Sequence, residues 1–380
     1  MDAWRPLLRG LLLAVVLLVR FTAAAADEDL IPRPPELERD VRFWVRVYTE
    51  VTTSAGFLHD EHDLGIVYQV VQFDPDATPA QRREVIEDLR ERYRAILRRL
   101  SEAEGERSEE EQRVAALFGT QVTPARLEQA AAGIRFQLGQ ANRFREGLER
   151  AGIWGGHIAD TFARRGLPPE IAALPHVESS FNPAAYSKVG AAGLWQFMRS
   201  TGRRFLRIND AVDERLDPFR ATEAAAQLLD YNYRLLGSWP LAITAYNHGA
   251  AGMRRARDAL GTSDIATIVR EHHSPTFGFA SRNFYVSFLA ALEIDRDPAR
   301  YFGPIERRGT VRYPEVEVPA DVPVAVLLRA TQVERASLQA LNPALLPAVW
   351  KGKRRVPAGY LLRLPESARD WTKERLAAAL

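Results

Sequence analysis

One acidic residue, Glu178, stands in the stretch LPHVESSFNPAAYSKVGAAGLWQFM, and no aspartate or glutamate follows it until Asp210. In a helix that begins near Pro168, Ile171, Leu174 and Glu178 share one face, which is otherwise apolar. Burial on such a face raises the pKa of a carboxyl group, and a raised pKa suits a general acid that must keep its proton near neutral pH. A structural role remains open, because a lone glutamate on a buried face can equally cap a helix or meet an arginine.

The residues that follow have types suited to binding a sugar polymer. Gly190 and Gly193 would let the backbone approach a ligand closely. Pro175 opposes a continuous helix, because proline inside a helix kinks or breaks it. Side chains that can hydrogen-bond or stack on sugar rings are Ser187, Gln196, Asn247, Trp195, Tyr246 and Tyr285. Taken singly, Trp195, Phe197 and Tyr285 are equally expected in a hydrophobic core.

Four ordered blocks resemble the lytic transglycosylases with a goose-lysozyme-like (soluble lytic transglycosylase) catalytic domain, in particular the membrane-bound transglycosylase D group. The blocks are ES with SFNP (178–183), SKVGAAGLWQFM (187–198), AYNHG (245–249) and NFYV (283–286). The match covers about 155–295, and the N-terminal third resembles the group only loosely. One departure is His248, where the family commonly has alanine or serine.

The resemblance implies cleavage of the β-1,4 bond between N-acetylmuramic acid and N-acetylglucosamine in peptidoglycan, with 1,6-anhydromuramic ends as product. It makes Glu178 the sole catalytic acid and base. The implied substrate-binding residues are Ser187 beside the muramic acid, Gln196 and Met198 lining the cleft, Tyr246 and Asn247 flanking the glutamate, and Tyr285 facing the bond to be cut. No metal or other cofactor is implied, the expected partner is the glycan strand, and no protein partner is predicted.

Two other functions remain open. In a peptidoglycan hydrolase of the same fold, like goose lysozyme, an acid among Asp210, Asp213, Glu214 and Asp217 would activate water. We predict instead that these four are helix-flanking surface residues. The other alternative is a non-catalytic cell-wall-binding protein that keeps the fold.

Composition limits the cellular setting. The 380 residues carry a formal net charge of +2, so no strong positive field points to nucleic acid, and there is no cysteine to form disulfides or accept a lipid. Two arginines, the apolar run 11–19 and small residues up to Ala26 are typical of a signal peptide over 1–26, which predicts export to the periplasm or cell wall. An uncleaved anchor is the alternative, but the run is shorter than the roughly 20 residues that span a bilayer.

The fold class predicted is mainly α, with a helical N-terminal region over 27–150, a lysozyme-like catalytic domain over 151–302 and a small α+β module over 310–368. A hairpin is expected within 51–75, and the HDEHD sequence at its centre (59–63) is not favoured as a metal site, because successive side chains of a turn diverge. Helices are predicted at 37–48, 79–100, 110–118, 124–131, 138–150, 168–180, 200–207, 218–236, 240–249, 250–260 and 280–294, and a loop at 261–279.

The C-terminal module resembles a divergent LysM glycan-binding module through 326–343 and 357–365. Strands are expected at 312–319 and 360–365 around two short helices, with Leu338, Leu341 and Leu362 in the core. The usual opening G-D-T/S-L is missing. A purely structural appendage is therefore the alternative to glycan binding.

Overall fold

The computed structural model describes residues 29–102 and 105–380. The predicted signal peptide, 1–26, lies outside the described residues. The described chain is mainly α with two small sheets, which confirms the predicted fold class. Within these residues, every helix is too short or too polar to cross a bilayer.

The helices and strands follow one another along the whole described chain. The strands are β1 (Ala55–Asp60), β2 (Val67–Gln72), β3 (Ile134–Leu138), β4 (Glu315–Glu317) and β5 (Leu361–Arg363). The helices are α1 (Glu38–Thr49), α2 (Pro79–Glu102), α3 (Glu109–Phe118), α4 (Pro124–Ala132), α5 (Ala141–Arg164), α6 (Leu174–Ser179), α7 (Arg199–Gly202), α8 (Pro218–Leu236), α9 (Trp239–His248), α10 (Ala250–Leu260), α11 (Ile265–Glu271), α12 (Phe279–Arg296), α13 (Pro298–Phe302), α14 (Val324–Thr331), α15 (Arg335–Leu341), α16 (Pro347–Trp350) and α17 (Lys373–Ala379).

The N-terminal sheet is antiparallel in the order β2-β1-β3. The hairpin predicted within 51–75 is confirmed as β1 and β2, but β3 lies in a region for which only helices were predicted. Asp60 at the end of β1 accepts 2.8 Å hydrogen bonds from the main-chain N–H groups of His62 and Asp63, and forms an ion pair with Arg126. The carboxylate of Asp60 therefore fastens the turn to α4.

Helix α1 belongs to the same hydrophobic core as residues 151–302, the predicted lysozyme-like domain. Val41, Trp44 and Tyr48 recur at helical spacing, are buried, and join a cluster that includes most of α8, α9 and α12. The boundary predicted between 150 and 151 is wrong, since it falls in the middle of the continuous helix α5. Helix α1 is thus built into this core, whereas α2, α3 and α4 pack on the N-terminal sheet in a separate hydrophobic cluster.

The predicted lysozyme-like domain and the helix that enters it differ from the prediction at three places. Helix α5 runs to Arg164, and α7 ends at Gly202 instead of continuing to 207. The predicted loop 261–279 contains α11. Asp264 caps α11 by accepting a 2.7 Å hydrogen bond from the main-chain N–H of Thr267.

The C-terminal segment has its own core, with β4 and β5 paired antiparallel around α14, α15 and α16. Leu338 and Leu362 are fully buried as predicted, whereas Leu341 is only partly buried because it faces a cavity beside α5. Arg363 in β5 forms a buried ion pair with Asp217 at the start of α8. The residues around 303–310, where a boundary was predicted, contain no helix or strand.

Candidate active site

Glu178 lies in the last turn of a helix that is shorter than predicted. In place of one helix from Pro168, the chain forms a 3-10 turn, Pro169–Ala173, followed by α6. Pro175 occupies the first turn of α6, where a backbone N–H has no acceptor within the helix. Proline therefore starts this helix instead of kinking it.

The chain leaves α6 through two successive residues in the left-handed region, Ser180 at φ 50° and Phe181 at φ 54°. Residues other than glycine adopt this conformation at a cost of about 1–3 kcal/mol each and tend to do so at functional sites. Arg150 supports the turn by donating a 2.9 Å hydrogen bond to the main-chain oxygen of Ser180. Gly147 lets α5 pack closely against the Ser180 backbone, because a Cβ at residue 147 would lie 3.0 Å from that oxygen.

The carboxyl group of Glu178 is kept protonated by its surroundings. The side chain retains a partly exposed surface, yet it lies deep among protein atoms, as at the bottom of a cleft. Burial raises its pKa to about 8, and among the described residues this shift has no contribution from a charged neighbour. At neutral pH Glu178 therefore carries a proton that it can donate.

Two of the acids considered as a second catalytic group are buried in structural ion pairs. Asp213 binds Arg215 at 2.7 Å, and Asp217 binds Arg363 at 2.5 Å while accepting a hydrogen bond from the N–H of Phe219 at the start of α8. The prediction that these two are surface residues is wrong, because each neutralises a buried guanidinium. Neither is free to activate water.

The other two acids are also engaged. Asp210 is on the surface as predicted and pairs with Arg354 at 2.6 Å. Glu214 is mostly buried and accepts a 2.6 Å hydrogen bond from the main-chain N–H of Arg207. The described structure therefore offers no uncommitted acid in this group as a base beside Glu178.

The loop 182–198 that follows α6 is held by Arg215, which sequence reasoning missed. The Arg215 guanidinium is buried and donates to the main-chain oxygens of Gly190 at 2.7 Å and Phe197 at 3.0 Å. Gly193 has φ 81°, and a Cβ there would lie 1.7 Å from the carbonyl oxygen of Arg215. The loop therefore requires both this arginine and this glycine.

Three of the predicted substrate-binding residues belong to this loop. The Ser187 hydroxyl accepts a 2.9 Å hydrogen bond from the N–H of Ala191, and the Gln196 amide donates to the main-chain oxygens of Gly193 and Ala185. Met198 is exposed. In this structure Ser187 and Gln196 shape the loop, and Met198 presents an apolar surface at its end.

Helix α9 contributes Tyr246 and Asn247. The Tyr246 hydroxyl donates a 2.8 Å hydrogen bond to the main-chain oxygen of Trp195, and both burial and the charge of Glu178 raise its pKa. Asn247 is exposed, and its side-chain oxygen accepts a 2.9 Å hydrogen bond from Ser281. The hydroxyl of Tyr246 is thus within the electrostatic range of Glu178.

Tyr285 does not occupy the position predicted for it. Its side chain has no exposed surface, and its hydroxyl donates a 2.6 Å hydrogen bond to the main-chain oxygen of Pro32. The prediction that it faces the bond to be cut is contradicted, because α12 directs this side chain toward the N-terminal residues and away from solvent.

A second tyrosine near Glu178, Tyr48, comes from α1 and was missed. Its ring lies 4.9 Å from that of Phe144, which stacks at 4.7 Å on His176, two residues before Glu178. Burial and the charge of Glu178 raise the pKa of Tyr48. Its spacing from Trp44 indicates a core aromatic, and no local pattern could connect it with a residue so distant in the chain.

Comparison with known proteins matches the segment that contains these residues. Residues 158–269 match the family described as Transglycosylase SLT domain. Membrane-bound lytic murein transglycosylase D of Escherichia coli K12 is 39% identical over 146 residues, which are 38% of this chain and 32% of that protein. A putative tributyltin chloride resistance protein of Alteromonas sp. strain M-1 is 37% identical over 102 residues, which are 26% of this chain and 49% of that protein.

A solved structure, an inactive mutant of lytic transglycosylase Slt from Pseudomonas aeruginosa, is 24% identical and covers 40% of this chain and 26% of that one, with a TM-score of 0.30. This chain spans about a third of the E. coli relative and about half of the Alteromonas one. The resemblance predicted from the sequence blocks is confirmed over 158–269, the residues that match the Transglycosylase SLT domain family, and the block at 283–286 lies beyond this match. The likeness of the C-terminal module to LysM stays a prediction.

Proposed function

We propose that this chain is an exported peptidoglycan lytic transglycosylase with Glu178 as its sole general acid and base. The observation that carries the proposal is a carboxyl group with a pKa of about 8 and no described charged partner. The E. coli relative supports the substrate, because its name describes a transglycosylase acting on murein.

The reaction needs one proton carrier and no water. Protonated Glu178 donates its proton to the bridging oxygen, and the bond from this oxygen to C1 of N-acetylmuramic acid breaks, releasing the N-acetylglucosamine hydroxyl. The resulting carboxylate then removes the proton from the C6 hydroxyl of the muramic acid while that oxygen bonds to C1. A 1,6-anhydro ring forms, and Glu178 is again protonated.

A hydrolase would need a second carboxylate. Retaining glycosidases place one about 5–5.5 Å from the acid as a nucleophile, and inverting enzymes place a base further away to hold water. The acids from Asp210 to Asp217 are committed to Arg354, Arg215, Arg207 and Arg363. The transglycosylase reaction is favoured because an intramolecular hydroxyl replaces water.

The 182–198 loop and α9 would form the walls of the glycan cleft. Ser187, Met198 and Asn247 are at least partly exposed and retain surface for substrate contacts. Gln196 would act through the shape of the loop, and Tyr246 through its electrostatic interaction with Glu178. We also propose that 310–368 is a separate module and that the chain acts in the periplasm or cell wall. Export rests on the sequence of 1–26 alone.

Clearing of peptidoglycan tests whether Glu178 is the catalytic group. In a dye-release assay on purified peptidoglycan, Glu178→Gln is expected to lose at least about 1,000-fold in activity, because the isosteric amide cannot donate or accept the proton. Asp210→Asn is the matched control and should retain activity. Equal clearing by wild type and Glu178→Gln would point to a contaminant or another mechanism, and loss with Asp210→Asn would favour the hydrolase.

A further inference from the structure

Two adjoining cavities lie between the catalytic region and the C-terminal module. One has a volume of about 420 Å³ and the other about 480 Å³. Phe219, Val311, Tyr313 and Arg363 line both, so the two cavities adjoin at these side chains. We call the two cavities together the interdomain pocket. Its size is within the range of about 300–1,000 Å³ that is usual for ligand sites.

The first cavity is apolar and rich in aromatic rings. Its walls include Trp154 of α5, Tyr186 of the 182–198 loop, Phe219 of α8 and Tyr313 of the linker. Tyr186 is 61% exposed, while the other three are partly exposed. Flat apolar faces arranged around an opening are suited to the faces of sugar rings.

The second cavity carries charges of both signs, since its lining includes Arg220, Arg312 and Arg363 together with Asp160, Glu223 and Glu315. Glu223 pairs with Arg164 and Arg165, and Glu315 pairs with Arg363. Neither Arg220 nor Arg312 forms an ion pair with any part of the chain that the structure describes. Arg363 is 2% exposed, and although its Nη2 lies 2.8 Å from a Glu315 carboxylate oxygen, this atom makes no hydrogen bond of good geometry. Such groups can bind the carboxylates that muramic acid and its stem peptides carry.

The position of the pocket connects it to both parts of the molecule. Pro183, Ala184 and Tyr186 form one wall and belong to the loop that begins four residues after Glu178. Leu341 and Pro343 of the C-terminal module also line this cavity. A polymer that leaves the proposed active site along this loop would therefore meet the pocket.

We propose that the interdomain pocket is a second binding site for the peptidoglycan strand, with Trp154 and Tyr313 stacking on sugar rings and Arg312 pairing with carboxylates. This proposal rests on the function proposed above, since that function supplies the substrate class. The pocket holds the polymer and takes no part in bond cleavage, so it affects long strands and leaves short ones unaffected.

Co-sedimentation with insoluble peptidoglycan tests binding without cleavage, using the full chain with Glu178→Gln. Adding Trp154→Ala or Tyr313→Ala is expected to weaken binding about 5- to 30-fold, as the loss of about 1–2 kcal/mol per aromatic contact implies. Arg312→Glu changes an exposed side chain that should not affect folding, and it should weaken binding similarly. Tyr231→Ala removes an exposed tyrosine of α8 that does not line the pocket and is the matched control.

A second arm uses chains with Glu178 intact. The pocket variants should release product from whole sacculi several-fold more slowly and cleave a soluble tetrasaccharide at the wild-type rate. Unchanged sedimentation of Arg312→Glu together with the aromatic variants would overturn the proposal, as would an equal loss on both substrates. If no variant, including wild type, cleaves either substrate, the proposed function fails, while the sedimentation result still decides whether the pocket binds peptidoglycan.

Discussion

The hydroxyl of Tyr246 donates its proton to the main-chain oxygen of Trp195 at 2.8 Å, and the charge of Glu178 raises the pKa of the same hydroxyl. The tyrosine is therefore coupled to the acid electrostatically, while its hydroxyl donates its hydrogen bond to the 182–198 loop. Its structural task is to hold that loop against α9.

Tyr246→Phe removes this hydrogen bond while keeping the ring. We expect the catalytic efficiency to fall about 10-fold, which corresponds to roughly the 1.4 kcal/mol of a lost hydrogen bond. The pH at which activity declines should remain near that of wild type, because burial dominates the pKa of Glu178. Initial rates on soluble glycan across pH 5–10 measure the catalytic efficiency and the pH at which activity declines. If this decline moved by a full pH unit in the variant, Tyr246 itself would be shown to set the pKa of Glu178.

The pH dependence of the wild type follows from the protonation state of Glu178. The protonated form is active, so activity should be level below the pKa of about 8 and should fall about tenfold per pH unit well above it. A decline centred near pH 4–5 would mean that Glu178 has the ordinary pKa of an exposed glutamate and is not the buried acid described above.

The same shift predicts a pH-dependent stability difference. Because the folded-state pKa is raised from 4.5 to about 8, the stabilisation from this group is complete below pH 4.5 and is lost as pH rises through 8. The free energy of unfolding of Glu178→Gln, taken relative to that of wild type, should therefore increase by about 2–4 kcal/mol when the pH is raised from 4.5 to 8.5. Urea unfolding at both pH values measures this, with Glu87→Gln on the exposed face of α2 as the control for removing a surface carboxyl group.

Gly193→Ala should damage the 182–198 loop. The added Cβ would lie 1.7 Å from the Arg215 carbonyl oxygen, so the loop must move, at a cost of about 2–4 kcal/mol and with most of the activity lost. Gly190→Ala is the matched control, because it also has a positive φ but meets no atom within 4 Å. It should cost about 1 kcal/mol and keep most of the activity. Equal effects of the two substitutions would show that strain alone, rather than contact with Arg215, governs this loop.

Arg215→Met tests the buried ion pair that supports the loop. Removing the guanidinium leaves the buried carboxylate of Asp213 without its opposite charge and the main-chain oxygen of Gly190 without its hydrogen bond, so we expect a loss of about 3–5 kcal/mol in the free energy of unfolding. Thermal unfolding measures the change. Arg203→Met, at an exposed position close by, should leave stability within about 0.5 kcal/mol of wild type.

Much of the helical framework was predictable, because amphipathic spacing reports local geometry. The hairpin of β1 and β2 and most helices from α1 to α12 lie where periodicity placed them. Strand β3 was not predicted, because it is short and pairs with β1, which lies more than 70 residues earlier in the chain. Helix α11 had a usable signal in its Asp264 cap, but the glycines, serines and histidines around it favoured a loop.

The site was predictable only in part, for a related reason. Glu178 and the 182–198 loop stand out in the sequence, because their residue types and order are specific. Tyr48 and Arg215 act through contacts that only the fold creates, and each resembles an ordinary core or surface residue in its own segment. For Tyr285 the motif was recognised, but the position predicted for its side chain was wrong. The rotation of α12, which directs this side chain toward Pro32, cannot be inferred from the spacing of residues.

The product of the reaction tests the central claim most directly. Purified wild type is incubated with peptidoglycan, and the released muropeptides are analysed by mass spectrometry, with Glu178→Gln treated in parallel. An intramolecular attack by the C6 hydroxyl with Glu178 as the single acid and base predicts 1,6-anhydromuramic ends, lighter by one water than reducing ends, and their absence with the variant. Reducing ends from the wild type would contradict the transglycosylase reaction and require a water-activating base.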